Sequence, residues 1–152
     1  AATALASDRF IVYSTWKWLD LQAQTGGKPV YGYIFGKPRP AEVKPATPAP
    51  NDKPAPYVGA SHASEIEYAL GNLPGNKIYA WTPDDYKVSA TMENYFANFI
   101  KTGDPNGDGL PKWNANKGNS ITEYMHINVN TALQPDQNRA RYMFLDQGYT
   151  KK

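Results

Sequence analysis

Seven prolines fall between Lys37 and Pro56, at Pro38, Pro40, Pro45, Pro48, Pro50, Pro54 and Pro56. Each removes a backbone donor and locks φ. The stretch 37–56 therefore favours extended polyproline conformations over helix or ladder. The chain accordingly divides into a block before this loop, the loop itself, and a block after it. The loop is read as a stiff surface excursion. A ligand for a proline-recognising domain is the other reading.

In the first block Ser7 or Asp8 can cap a helix. Phe10, Ile11, Tyr13, Trp16, Trp18, Leu19 and Leu21 follow as a heavily apolar run, closed by Gly26 and Gly27. Tyr13, Trp16 and Trp18 could line a binding surface, but core packing is the preferred reading. Val30 to Phe35 is rich in β-branched and aromatic residues and reads as a strand. Its apolar residues occur at both parities, so both faces should be buried, as in α/β sheets.

The third block carries the most complete helix signal, from about Pro83 to Thr102. Thr82 can cap, Pro83 suits the first helical position, and Asp85 completes a capping-box-like pattern. Val88, Met92, Tyr95, Phe96 and Phe99 form one apolar stripe. Gly103 stops the helix. Tyr124 to Ile127 reads as a short strand, and Asn138 to Asp146 as a last short helix or strand.

Four Trp, eleven Tyr and five Phe mark a chain that folds or packs on something folded. The formal net charge is +2, with 16 basic and 14 acidic residues spread through the sequence. That gives no clustered basic face for nucleic acid and no reason to expect an anionic membrane. Without cysteine there are no disulfides, thiolate metal sites or cysteine nucleophiles. No run of 18 or more apolar residues exists to span a bilayer. Ala1 to Ser7 has neither an initiator Met nor a positive n-region, so it is not an intact signal peptide. A start at Ala1 suggests processing, or a piece of something longer.

Two histidines remain as chemistry-bearing residues, His62 and His126. Gly59 and Ala60 allow a tight loop before His62, and Glu65 and Glu67 follow closely. A general base needs a neutral imidazole held in one tautomer by an acidic partner. His62 can meet that need, although a lone histidine is more often structural. His126 lies in an alternating apolar stretch with no second ligand nearby and reads as structural or surface-lying. Asp104-Pro105-Asn106-Gly107-Asp108-Gly109 imitates the start of an EF-hand loop, but its twelfth position is Ala115 where a bidentate Glu is needed. It reads as a turn. No metal and no cofactor are expected.

The segment Gly59-Ala60-Ser61-His62-Ala63-Ser64-Glu65-Ile66-Glu67-Tyr68 resembles the histidine motif of the type-B carboxylesterase family, which includes bacterial para-nitrobenzyl esterases and the cholinesterases. The likeness continues in the family's order. Ser7-Asp8 to Trp18 resembles the helix before the last main strand, Val30 to Phe35 that strand, and Arg39-Pro40 its exit. Asp84 to Asn98 resembles the following helix. Asn98 to Gly107 and Leu110 to Trp113 resemble its end and turn, and Arg139 to Asp146 the C-terminal stretch. Nearly the whole chain is covered, closest to the bacterial branch.

The resemblance implies an α/β fold: the C-terminal portion of a single α/β-hydrolase domain over 1–152, with the last one or two sheet strands and their packing helices. It implies a serine hydrolase mechanism in which a Ser attacks the ester carbonyl, a His serves as base and then acid, and a carboxylate orients the His. By resemblance His62 is the catalytic base. Glu65 matches a family glutamate and is placed behind the histidine, or else is a plain buried acid bonded to backbone. No G-x-S-x-G elbow is present, so this chain contains no nucleophile. The oxyanion loop is missing, and no triad acid is carried over. Ser61 and Ser64 are too near His62 in sequence to give nucleophile–base geometry.

The chain is thus expected to be the histidine-bearing part of a serine carboxylesterase, inactive alone, whose partner is the upstream part carrying Ser and acid and whose substrate is a small ester. A non-catalytic cholinesterase-like binding segment, or an autonomous proline-rich interaction module, would be the alternatives. An open sheet edge would favour oligomers. The resemblance favours a bacterial periplasmic or secreted setting, with the cytoplasm as the other option.

Overall fold

The computed structural model describes residues 2–43, 59–118 and 120–150. Three short strands, β1 (Tyr33–Phe35), β2 (Glu123–Ile127) and β3 (Ala132–Pro135), form a sheet in the order β1-β2-β3. Met125 N–H donates to the Gly32 carbonyl and Gly36 N–H to that of Ile127. Residue numbers rise together along both strands, so β1 and β2 run parallel. A parallel pair needs a long crossover, and the intervening chain supplies it. The third strand adds to the one or two expected.

Contacts divide the chain into two compact units. The first comprises Ala1–Gly32, Trp113–Met125 and Leu133–Lys152. Its helices are α1 (Ala2–Ser7), a π-helical turn Asp8–Val12, α2 (Tyr13–Thr25) and α5 (Arg139–Thr150). Ser7 does not cap. It is helical itself and its side chain accepts no capping bond, because the small residues before it already form α1. Asp8 is also inside the helix, buried, and holds the Arg141 guanidinium through both carboxylate oxygens at 2.6 Å. Gly26 does end α2, its N–H bonded to Gln22 O.

Tyr13, Trp16 and Trp18 were expected to pack as core; Trp16 does, Tyr13 is half-buried and Trp18 is not buried. Trp16 is buried and lies 5.6 Å from the Tyr142 ring. Trp18 is 71% and Phe10 72% exposed. Helical geometry explains the split, since residues two apart point to opposite sides. Asp20 is buried too, and its carboxylate accepts from Ile121 N–H and Gln24.

The second unit comprises Tyr33–Lys112 and His126–Ala132. β1 is half-buried along its length rather than buried on both faces. Helix α4 spans Pro83–Thr102, the expected range. Thr82 and Asp85 form a reciprocal capping box, and Gly103 ends the helix at φ +77°. Val88, Met92 and Tyr95 are fully buried, while Phe99 at the end of the stripe is half exposed. The short helix α3 (Ile66–Ala69) packs on α4. Gly71 just beyond it has φ +62°, and a Cβ there would collide with the Glu93 carboxylate at 2.4 Å. The flexible carboxylate could move aside, so it is the left-handed φ that favours glycine here.

The proline-rich stretch is described only to Val43. Its start does pair, contrary to expectation. Glu42 and Tyr79 form an antiparallel bridge, with Val43 N–H on Ile78 O and Ala80 N–H on Ala41 O. These donors belong to non-proline residues, so Pro38 and Pro40 do not prevent this isolated bridge. Residues 44–58, including five of the prolines and the first two residues of the third block, lie outside the described residues. Among the described residues no helix is long and apolar enough to cross a membrane.

Candidate active site

His62 sits in a four-residue turn, Ser61 to Ser64, directly ahead of α3. The turn closes on one acceptor: both the N–H and the hydroxyl of Ser64 donate to Ser61 O, at 3.1 and 2.7 Å. Ser64 is fully buried and so anchors the turn, whereas Ser61 and His62 are exposed. With its hydroxyl committed to a carbonyl, Ser64 is not arranged as a nucleophile. Ala63 has φ +64°, a left-handed conformation costly for a residue with a Cβ. Such strain concentrates where surrounding structure over-determines a functional loop.

Two polar clusters fix the elements around this turn. In the first, the fully buried Asp85 carboxylate gathers four donors. Oδ1 accepts from Tyr68 Oη at 2.7 Å and pairs with Lys37 Nζ at 2.5 Å. Oδ2 accepts from Thr82 N–H at 2.8 Å and Thr82 Oγ1 at 2.6 Å. Burial alone would raise the Asp85 pKa, but Lys37, Thr82 and Tyr68 overturn that and hold it below the ordinary aspartate range. Burial and then Asp85 push the Tyr68 phenol well above its usual value, so it stays a donor.

In the second cluster Glu67 accepts from Arg39 Nη2 at 2.7 Å and from Asn76 Nδ2 at 2.8 Å. Burial raises its pKa, and the bonds from Arg39 and Asn76 more than reverse this. The Arg39 guanidinium also lies 5.0 Å from the Tyr79 ring centroid. Glu65, the acid expected behind His62, is half-buried. Its charge adds to burial in raising the Tyr33 phenol pKa.

The motif alone pointed to Glu65. The residues with the densest bonding around the histidine turn are Glu67, Tyr68, Asp85, Lys37 and Arg39. The sequence had marked Glu67 and Tyr68 within the histidine motif, Arg39 at the strand's exit and Asp85 as a cap, but nothing in it showed that they bond to one another.

His126 lies on β2, half-buried. Its Nε2 is sealed from solvent and takes no hydrogen bond among the described residues. Burial lowers its pKa below 6.5 because the imidazolium would carry an unsolvated N–H. The unfolded chain then binds the proton more readily, so stability is full above the unfolded pKa and declines as pH falls through about 6.5. Urea unfolding should show wild type losing more stability between pH 7.5 and 5.5 than His126→Gln does. Equal losses in the two proteins would remove His126 as the cause.

The segment from Asp104 is a turn, as read. Asp104 Oδ1 accepts from both the backbone and the side-chain amide of Asn106, at 2.9 and 2.6 Å. Among the described residues no group of three His, Cys, Asp or Glu could hold a metal.

The arrangement therefore offers an exposed imidazole on a firmly held turn, with no nucleophile among its described neighbours. Comparison with known proteins bears on the chain as a whole. Among solved structures the chain is similar to a Geobacillus stearothermophilus carboxylesterase, EST55, with a TM-score of 0.68 and 24% identity over 93% of this chain and 26% of that one. A Clostridium hathewayi esterase described as able to hydrolyse aliphatic aromatic polyesters gives a TM-score of 0.64 at 20% identity. These likenesses show the fold, that of part of an α/β-hydrolase. In sequence the chain is 36% identical to dog carboxylesterase 5A over 70% of its length, and 35% identical to bovine carboxylesterase 4A over 85%. It spans 18% and 21% of those two relatives. The expected place in the bacterial branch rests on the motifs alone. The sequence model of the carboxylesterase family matches residues 1–145, so nearly all of this chain, histidine turn included, belongs to the carboxylesterase family.

Proposed function

We propose that this chain supplies the catalytic histidine, His62, to a carboxylic ester hydrolase whose serine and acid lie in a part of the polypeptide not contained in this sequence. The observation that carries this reading is the exposed imidazole on a strained turn closed by Ser64, inside a chain the family model matches almost throughout. In this role His62 Nε2 or Nδ1 takes the proton of the attacking serine and returns it to the leaving alcohol. The substrate class is a small carboxylic ester. Glu65 stands behind the histidine as a supporting carboxylate. The chain by itself is inactive, because neither Ser61 nor Ser64 can serve as nucleophile.

A serine-directed fluorophosphonate followed by intact-mass analysis tests this. The chain alone should keep its mass. A longer polypeptide containing it, or a companion piece bound to it, should gain one phosphonyl group. An adduct on Ser61 or Ser64 of the isolated chain would overturn the reading.

A further inference from the structure

Helix α3 is four residues long, far too short to hold itself. Its conformation is imposed from outside, and the His62 turn is continuous with it. Three tethers can be traced. Glu67 is tied to Arg39 and Asn76. The Tyr68 carbonyl accepts from Ser89 Oγ of α4 at 2.9 Å. The Tyr68 hydroxyl donates to Asp85, which is itself fixed by Thr82 and Lys37. The last tether joins the exit of β1 at Lys37, α3 at Tyr68, and the start of α4 at Thr82 and Asp85, and it does so through a fully buried carboxylate. The Tyr68 ring is fully buried, 5.0 Å from Phe35 and 5.7 Å from Trp81, so it cannot re-aim without breaking the core.

We propose that Asp85 is a positioning residue for the catalytic histidine, acting through Tyr68 to hold α3 and with it the Ser61–Ser64 turn in one geometry. This rests on the reading of His62 as the base. Asp85 does not touch substrate. It makes the turn rigid because its carboxylate is buried, charged and bonded on both oxygens, so no alternative placement satisfies its four donors. An imidazole on a rigid turn meets its partners without ordering at the moment of reaction.

The test is backbone ¹⁵N relaxation of the 152-residue chain, as wild type, Asp85→Asn and Tyr68→Phe. Tyr68→Phe keeps the ring in the core and removes only the tether. In wild type the amides of Ser61 to Ser64 and those of β2 should all show order parameters of about 0.85. In both variants the turn should fall below about 0.6 while Glu123 to Ile127 stay unchanged. A turn that keeps its order in Tyr68→Phe overturns the proposal. So does a parallel loss in β2, which would make Asp85 a stability residue only. If Asp85→Asn fails to fold, Tyr68→Phe decides alone. The readout involves no ester and no nucleophile, so the tether is judged separately from the esterase reading: loss of that reading removes the catalytic purpose but not the measured effect on the turn, and failure of the tether leaves the esterase reading standing.

Discussion

When this chain forms part of a polypeptide that also carries the serine, His62→Gln lowers kcat by at least about 10⁴-fold and leaves KM within a few-fold. Triad members act as a unit, so loss of the base removes most of the chemistry that serine and acid provide together. Binding of the ester does not use the imidazole, hence the small effect on KM. The fold should tolerate the change, because His62 is exposed. Circular dichroism and the urea midpoint should match wild type. Glutamine is the right replacement, since it keeps the polar character of the turn while removing the titratable nitrogen. A variant retaining more than about a tenth of wild-type kcat, an effect far below that expected for a base, would take His62 out of the mechanism.

Asp85→Ala should cost about 3–5 kcal/mol, the range for breaking a buried ion pair from one side. The side chain of Lys37 is only 14% exposed, so its ammonium would lose its counter-charge with little water to replace it. Tyr68 Oη and Thr82 would lose an acceptor, and α4 would lose half of its capping box. Against a total stability of about 5–15 kcal/mol for an ordinary domain, this is a large fraction. A shift of the urea midpoint at unchanged slope would measure it. Replacing both partners, as Lys37→Met with Asp85→Leu, should recover much of the loss, because the desolvated charges go together. A cost below about 1 kcal/mol for Asp85→Ala would mean that water reaches Lys37 and the pair behaves like a surface one. The sign with pH follows from the depressed Asp85 pKa. Its contribution is complete above the ordinary aspartate range and is lost as pH falls through the folded value.

How much of this was legible depended on where each residue finds its partners. Helix α4 was readable end to end because Thr82, Pro83, Asp85 and Gly103 act within one or two turns of themselves. The start of the first helix was not. Asp8 looks like a cap in isolation, yet its carboxylate is used by Arg141, 133 residues away. Strand β3 escaped notice because Ala132-Leu133-Gln134-Pro135 carries no β-branched run. It is a strand by virtue of the neighbour it pairs with. In the site, the motif located the histidine turn but could not rank its acids. Glu65 and Glu67 differ only in what faces them, and Arg39 arrives at Glu67 from across the proline-rich stretch. The second role of Asp85 was hidden for the same reason. Its capping pattern is local, whereas Lys37 and Tyr68 are brought to it by the fold.

The π-helical turn at Asp8–Val12 has a geometric consequence. Tyr13 N–H bonds to Asp8 O, five residues back. In a regular α-helix two residues five apart point about 140° away from each other. The wider turn takes up one extra residue and brings them closer to alignment. Both then reach α5: Asp8 to Arg141, and Tyr13 Oη to Asp146 at 2.6 Å. The two anchors are thus set by arithmetic along the chain, not by the chemistry of the residues between them. Exchanging Arg9 or Ile11 for another helix former would leave both in place. Deleting either would leave the two residues four apart on an ordinary spiral, about 40° from each other, so both anchors would still face α5.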